Sequence, residues 1–124
     1  MIKLVFTIRR RPGMSREEFQ RYWRERHAPI VARNAEALRI RRYVQTHARD
    51  TELDDALSTA RGSEPRHHDG VAELWWDSLD DILAALSTEA GQAAAAELLE
   101  DERHFIDLPS SPLWLGEEHL VVGA

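Results

Sequence analysis

Residues 3–31 read KLVFTIRRRPGMSREEFQRYWRERHAPIV, and the succession of patterns in this stretch decides the fold. Apolar residues occupy every second position from Ile2 to Arg9, which predicts a β-strand. A Pro-Gly dipeptide at 12–13 marks a turn. Ser15, with Glu18 three residues later, matches a capping box that begins a helix. The stretch therefore predicts a strand, a tight turn and a helix in immediate succession.

The helix that follows carries its large side chains on one face. Phe19, Trp23 and His27 recur every four residues, so they lie above one another and are expected to face the sheet. Pro29 disfavours helical geometry at the residue before it and predicts a break or kink. His27 then has two interpretations, which the sequence leaves open. It is either a favourable charge at the end of a helix or a polar group aimed into a pocket.

The rest of the chain predicts three more strands with helices between them. The predicted segments are a helical piece at 30–38, a strand from Ile40 to Ala48, a short helix at 51–60, a strand from Gly70 to Asp77, a helix at 78–86, a helix from Glu89 to about His104 and a strand from Leu113 to Val122. This order is that of an α+β, ferredoxin-like βαββαβ domain, and residues 1–124 suit one such domain. One face of its sheet has no helices, which predicts that a second copy covers it in a homodimer.

The composition narrows the classes of function. The chain has 124 residues, of which 31% are charged, and a net charge of −6, which argues against nucleic acid or an anionic membrane as a partner. It contains no cysteine, so disulfides, zinc–thiolate sites and cysteine nucleophiles are excluded. The first residues become charged too soon for a signal peptide, and no apolar run approaches the ~20 residues of a membrane span. The prediction is a cytoplasmic protein.

Four segments together resemble the EthD-domain family, which belongs to the dimeric α+β barrel superfamily. They are residues 3–31, YVQTHA at 43–48, DGVAELWWDSLDD at 69–81 and DERHFIDL at 101–108. The resemblance implies a homodimer with one small-molecule pocket per subunit, between the sheet and the helices. Related barrels include cofactor-free polyketide cyclases, decarboxylases and dehydratases, quinol oxygenases and haem-degrading oxygenases. The fold does not choose among these activities.

Two histidines are the predicted catalytic pair. His27 shares its helix face with two aromatic residues, and His47 lies near the end of the second predicted strand, where pockets open. Tyr43 is four residues before His47 on the same strand face, and such a pair can orient and deprotonate a phenol or an acidic C–H. A half-exposed polar strand face is the competing interpretation of His47. His67 and His68 are interpreted as part of a solvated loop rather than as metal ligands.

Aromatic residues and one carboxylate form the predicted substrate-binding set. Its members are Phe19, Trp23, Tyr43, Glu73, Trp76 and Phe105. Trp75 and Trp76 alternate along a strand, so one is expected to face the pocket and the other the opposite side. Glu73 lies in an apolar strand and needs a partner, for which Arg41 or Arg42 is the expectation.

The predicted function is a cofactor-independent enzyme that acts on a hydrophobic aromatic or polyketide-like molecule by histidine acid/base chemistry. Cyclisation, dehydration and decarboxylation fit this chemistry. The alternatives are a non-catalytic small-molecule-binding accessory protein of a degradation pathway, and a quinol or haem monooxygenase in which His27, His47 or His104 would bind iron. No Gly-rich phosphate loop and no serine nucleophile motif is present. No metal and no cofactor are predicted.

Overall fold

The computed structural model describes residues 1–123 and is built on a four-stranded antiparallel β-sheet. The strands are β1 (Ile2–Ile8), β2 (Arg42–His47), β3 (Gly70–Trp76) and β4 (Leu113–Glu117), in the order β2-β3-β1-β4. The helical elements are α1 (Arg16–Tyr22), a π-helical turn (Trp23–His27), α2 (Ala28–Asn34), α3 (Glu52–Arg61), α4 (Leu79–Leu86), α5 (Glu89–Glu102) and a 3₁₀ turn (Leu108–Ser110). The predicted α+β, ferredoxin-like βαββαβ arrangement is confirmed.

Helix α1 begins as the sequence predicts, with one difference at its cap. The Ser15 hydroxyl accepts a hydrogen bond from the Glu18 N–H at 3.1 Å. The Glu18 carboxylate bonds the Ser15 hydroxyl instead of reaching back to the backbone N–H of Ser15. The capping box is therefore half formed, and the negative side chain still lies at the positive end of the helix dipole.

The helix does not break at Pro29, so the predicted break is wrong, and the kink, the other predicted outcome, stays a prediction. The π turn joins α1 to α2, and Ala28 keeps helical dihedral angles (φ −54°, ψ −43°) while its N–H donates to the Trp23 carbonyl five residues back. Proline lacks an N–H and clashes with the carbonyl four residues before it, so one wider turn accommodates it without ending the helix. His27 consequently lies within a continuous helical segment, and it caps no helix end.

Strand β4 is shorter than predicted because β1, the strand with which it pairs, begins at Ile2. Ile2, the first residue of β1, pairs with Glu117, so β1 has no further strand residue to pair with residues after Glu117. Leu120, Val121 and Val122, predicted as part of this strand, are exposed. An apolar pattern alone does not make a strand where the ladder has no partner.

The core lies between the sheet and helices α1 and α5. Phe19, Trp23 and Phe105 are fully buried there, and the Phe19 ring lies 5.3 Å from the Trp23 ring. Gly70 at the start of β3 allows this packing. A Cβ at this position would lie 2.6 Å from the Trp23 ring and 2.5 Å from the Thr46 carbonyl oxygen.

The outer face of the sheet, away from the helices, carries charge as well as apolar groups. Glu73 is paired with Lys3 at 2.6 Å. The expected arginine partner is wrong. Lys3 and Arg42 both lie opposite Trp75 on the neighbouring strands, and the Lys3 ammonium pairs with Glu73 while the Arg42 guanidinium stacks on Trp75, with its carbon 4.7 Å from the ring centre. Trp75 also donates its indole N–H to Glu118.

Helix α3 packs apart from the core. Its predicted capping pair is present, since Thr51 and Asp54 each bond the backbone of the other, and the helix ends at Gly62 in the left-handed conformation (φ 65°). None of its residues is buried.

Within residues 1–123, no helix combines the length and the apolar composition of a membrane-spanning segment.

Candidate functional site

An apolar cavity of about 280 Å³ lies between the sheet and helices α4 and α5, and is called the main cavity below. Its lining residues are Leu4, Phe6, Leu38, Ile40, Leu74, Trp76, Ile82, Ala85, Leu86, Ala95, Leu98, Leu99, Glu102 and Leu113. Every one is apolar except Glu102. Small-molecule sites usually combine such an apolar wall with very few polar groups.

A smaller void continues the main cavity toward the π turn, and is called the inner cavity. Its volume is about 30 Å³, room for about one water molecule. Trp23, His27 and Tyr43 line it. Glu102 lines both cavities, together with Phe6, Leu74 and Leu98. The way from the main cavity to His27 therefore passes these four shared side chains, of which only Glu102 is ionisable.

His27 is held in place by an acidic partner that the sequence did not indicate. Its Nδ1 lies 2.7 Å from Oδ2 of Asp101, and the Tyr22 hydroxyl donates to Oδ1 of the same carboxylate at 2.6 Å. A carboxylate only accepts hydrogen bonds, so Nδ1 carries the proton and Nε2 of the neutral ring keeps its lone pair. The ring packs 5.0 Å from that of Phe105.

The pKa of His27 reflects two opposing effects. Burial lowers the pKa below its usual 6.5, and the hydrogen bond and charge of Asp101 act in the opposite direction. Only 5% of the residue is exposed, so desolvation of the imidazolium outweighs its attraction to the carboxylate. The short contact is thus a neutral histidine donating to a carboxylate at neutral pH. For Tyr22, burial first and Asp101 second raise the pKa to about 12.

Glu102 is the other residue that the sequence analysis missed. It is partly buried, and no group within residues 1–123 hydrogen-bonds its carboxyl. Burial, and then the neighbouring Asp101 charge, raise its pKa from 4.5 to about 7. The sequence does contain a signal for this residue. Ala95, Leu98 and Glu102 share one helix face, so a carboxylate lies in an otherwise apolar stripe. Perturbed carboxylates in clefts are candidates for functional groups.

His47 lies apart from His27. Its ring packs 4.4 Å from that of Trp23, and its Nε2 lies 2.8 Å from Oε1 of Gln45. The Nδ1 atom is buried without a hydrogen-bond partner in the described part of the chain. Burial first and the Arg24 charge second lower its pKa. The residue borders neither cavity, so the structure does not bring the two predicted catalytic histidines together in one.

The predicted substrate-binding residues occupy three kinds of position. Trp76 lines the main cavity and donates its indole N–H to the Leu38 carbonyl at 2.7 Å, while Tyr43 and Trp23 line the inner cavity. Phe19 and Phe105 are core residues. Phe19 packs against Trp23, and Phe105 packs against His27. Glu73 is the exception, because it lies on the outer face with Lys3 and faces neither cavity. Its predicted contact with a ligand in the pocket is not supported by this position.

The chain belongs to the EthD domain family, whose model matches residues 11–109. No curated protein sequence matches the chain. Among solved structures, it is similar to an ethyl tert-butyl ether D family protein of Bacillus halodurans, with 18% identity, a TM-score of 0.63, and 96% of this chain and 99% of that one covered.

Two further solved structures share the fold. HapK of Hahella chejuensis is 11% identical with a TM-score of 0.62, covering 100% of this chain and 98% of that one. SnoaB of Streptomyces nogalater, described as a cofactor-independent oxygenase, is 16% identical with a TM-score of 0.58, covering 99% of this chain and 97% of that one. At these identities the similarity establishes a common fold and leaves the chemistry to the site itself.

Proposed function

We propose that this EthD-domain protein is a cofactor-independent enzyme that binds a hydrophobic aromatic or polyketide-like molecule in the main cavity and moves a proton with His27. The observation that carries this proposal is the position of His27, which Asp101 holds, on the wall of the inner cavity, which shares four side chains with the apolar main cavity. An apolar wall selects for a hydrophobic ligand, and Trp76 gives it a planar surface.

The chemistry follows from the protonation of the pair. Nε2 of His27 is the free base, and Asp101 stabilises the imidazolium that forms when the ring takes up a proton. Tyr22 fixes the carboxylate by its second oxygen. Proton transfer by a placed histidine accelerates a reaction by ~10²–10⁴-fold, which suits a substrate that is already activated, such as a β-keto chain. Cyclisation and dehydration can begin with such a transfer, and a decarboxylation ends with one, when the enolate left by the loss of CO2 takes up a proton.

A monooxygenase of electron-rich quinols is the first alternative, because removal of a proton from a quinol also begins that reaction. SnoaB, which shares the fold, is described as an oxygenase of the cofactor-independent kind. The proposed proton transfer is common to both outcomes, and the product distinguishes them.

A non-catalytic carrier of hydrophobic ligands is the second alternative. One observation favours the carrier: among the residues that line the main cavity, Glu102 is the single ionisable one. A carrier would bind the same molecules and leave their protons in place.

Deuterium exchange separates the enzyme from the carrier without knowledge of the natural substrate. β-Tetralone is a ketone that carries a planar benzene ring and acidic C–H groups, and its exchange in heavy water is followed by proton NMR. We expect the wild-type protein to accelerate the exchange and His27→Gln to lose on the order of 10²-fold of that acceleration. His119→Gln, which changes an exposed histidine, is the matched control and should behave as wild type. Binding without acceleration would assign the carrier role.

Two further predictions from the sequence, the homodimer and a catalytic role for His47, are also proposals. The outer face of the sheet is proposed to pair with that of a second copy, and a species of twice 14.2 kDa in sedimentation would support it. His47 is proposed to act in the same reaction through Gln45, which bonds both His47 and the Tyr43 hydroxyl, and loss of exchange in His47→Gln at unchanged ligand binding would support that role.

A further inference from the structure

Glu102 is the ionisable side chain that the main cavity shares with the inner cavity, which His27 borders. Among the residues that line the main cavity, only this one is ionisable. His27 borders the inner cavity alone, whose 30 Å³ is far too small for an aromatic molecule. A ligand that fills the main cavity therefore contacts the Glu102 side chain, whereas His27 borders only the inner cavity.

The surroundings of Glu102 leave its carboxyl free to react. Within residues 1–123 it has no hydrogen-bond partner, unlike Asp101 beside it, which is held by both Tyr22 and His27. Tyr43 faces it from β2, and the Glu102 charge acts on that hydroxyl. The other titratable groups around it are Asp101 on its own helix and His27 from the π turn, and the rest of the cavity wall is apolar. An unpaired carboxylate in such a wall is costly and changes its charge readily.

We propose that Glu102 is the catalytic residue that exchanges the proton with the bound molecule, and that His27 acts behind it as the second proton carrier. This inference rests on the proposed function. The ligand class is an aromatic ketone with an acidic C–H beside its carbonyl. The C–H bond of the ligand breaks, its electron pair remains on the ligand as an enolate, and the proton forms an O–H bond on Glu102. The proton returns to the enolate, or passes to Nε2 of His27 through a water molecule in the inner cavity.

The exchange of β-tetralone in heavy water tests this assignment with Glu102→Gln, which keeps the shape of the side chain and removes its charge. We expect the acceleration of exchange to fall by at least about 10²-fold, the usual scale for a lost acid or base. Binding, followed by quenching of tryptophan fluorescence, should stay within about threefold of wild type, because the contact area is unchanged. The matched control is Glu100→Gln, an exposed glutamate on the same helix, which should exchange β-tetralone at the wild-type rate.

The pH dependence provides a readout that a purely structural role would not move. The wild-type exchange rate should rise with pH as Glu102 ionises and then level off, and Glu102→Gln should lack this rise. Exchange retained in Glu102→Gln but lost in His27→Gln would overturn the role of Glu102 and leave the proposed function intact. If wild type fails to bind β-tetralone, or binds it without accelerating exchange, the proposed function and this inference are both wrong.

Discussion

Nδ1 of His27 lies 2.7 Å from Oδ2 of Asp101, although the residues are 74 positions apart in the chain. The contact joins the π turn to the last turn of α5. Both elements border the inner cavity, so the same hydrogen bond orients the histidine and holds the two elements together beside that cavity. Removing the Asp101 charge should therefore change the pKa values of its two neighbours, His27 and Glu102.

Asp101→Asn should lower two pKa values at once. The Asp101 charge raises the pKa of His27 against the effect of burial, and it also raises the pKa of Glu102. An uncharged amide at 101 removes both effects, so both groups should titrate at lower pH than in wild type. NMR titration of the labelled imidazole and carboxyl groups measures this directly. An unchanged His27 pKa would show that the pair is not formed in solution.

The His27 environment should make the protein sensitive to acid. The folded-state pKa lies below the 6.5 of an unfolded chain, so the unfolded state binds the proton more tightly. Stability is consequently lost as pH falls through 6.5 toward the folded value. Urea unfolding at pH 7.5 and pH 5 should show a smaller loss for His27→Gln than for wild type. His119→Gln should show the wild-type loss, and equal losses in all three proteins would contradict the buried, neutral histidine.

Glu102 should act on stability with the opposite pH dependence. Its folded-state pKa is raised from 4.5 to about 7, so the folded protein binds the proton more tightly than the unfolded chain. Its stabilising effect is fully present below about pH 4.5 and is lost as pH rises to about 7. By linkage the loss amounts to as much as about 3 kcal/mol.

Glu102→Gln should therefore unfold at higher urea concentration than wild type at pH 8. At pH 4, where the wild-type carboxyl is protonated, the two should be nearly alike. Glu100→Gln should differ from wild type by no more than ~0.5 kcal/mol at either pH. A Glu102→Gln protein that is less stable than wild type at pH 8 would indicate an undetected partner for the carboxylate.

Much of this fold follows from local sequence patterns, and the site does not. Strand alternation, the Ser15 and Thr51 caps and the helical stripes each need only a few neighbouring residues, so their elements were predicted. The π turn was missed because Pro29 indicates a conflict in the helix and not how the backbone resolves it. The Lys3 partner of Glu73 depends on the register between β1 and β3. Asp101 and Glu102 acquire their roles only when α5 packs on the π turn, which no short pattern encodes.

Gly70→Ala should be strongly destabilising. The added Cβ would lie 2.5 Å from the Thr46 carbonyl oxygen and 2.6 Å from the Trp23 ring, so the strand or the indole must move. We expect a loss of about 2 kcal/mol or more in thermal or urea unfolding, as for overpacking in a rigid core. Gly116→Ala, on β4 of the same sheet with nothing within 4 Å of the new methyl group, is the control and should cost well under ~1 kcal/mol. Equal losses at the two sites would show that Trp23 does not lie against β3.

A structure of the complex with β-naphthol tests the central claim, that the main cavity receives an aromatic ligand and presents it to Glu102. We expect the naphthol rings between Trp76 and the leucines of α5, with the hydroxyl oxygen within hydrogen-bond distance of the Glu102 carboxyl. Naphthol bound elsewhere on the protein, with the main cavity empty at saturating concentration, would contradict it.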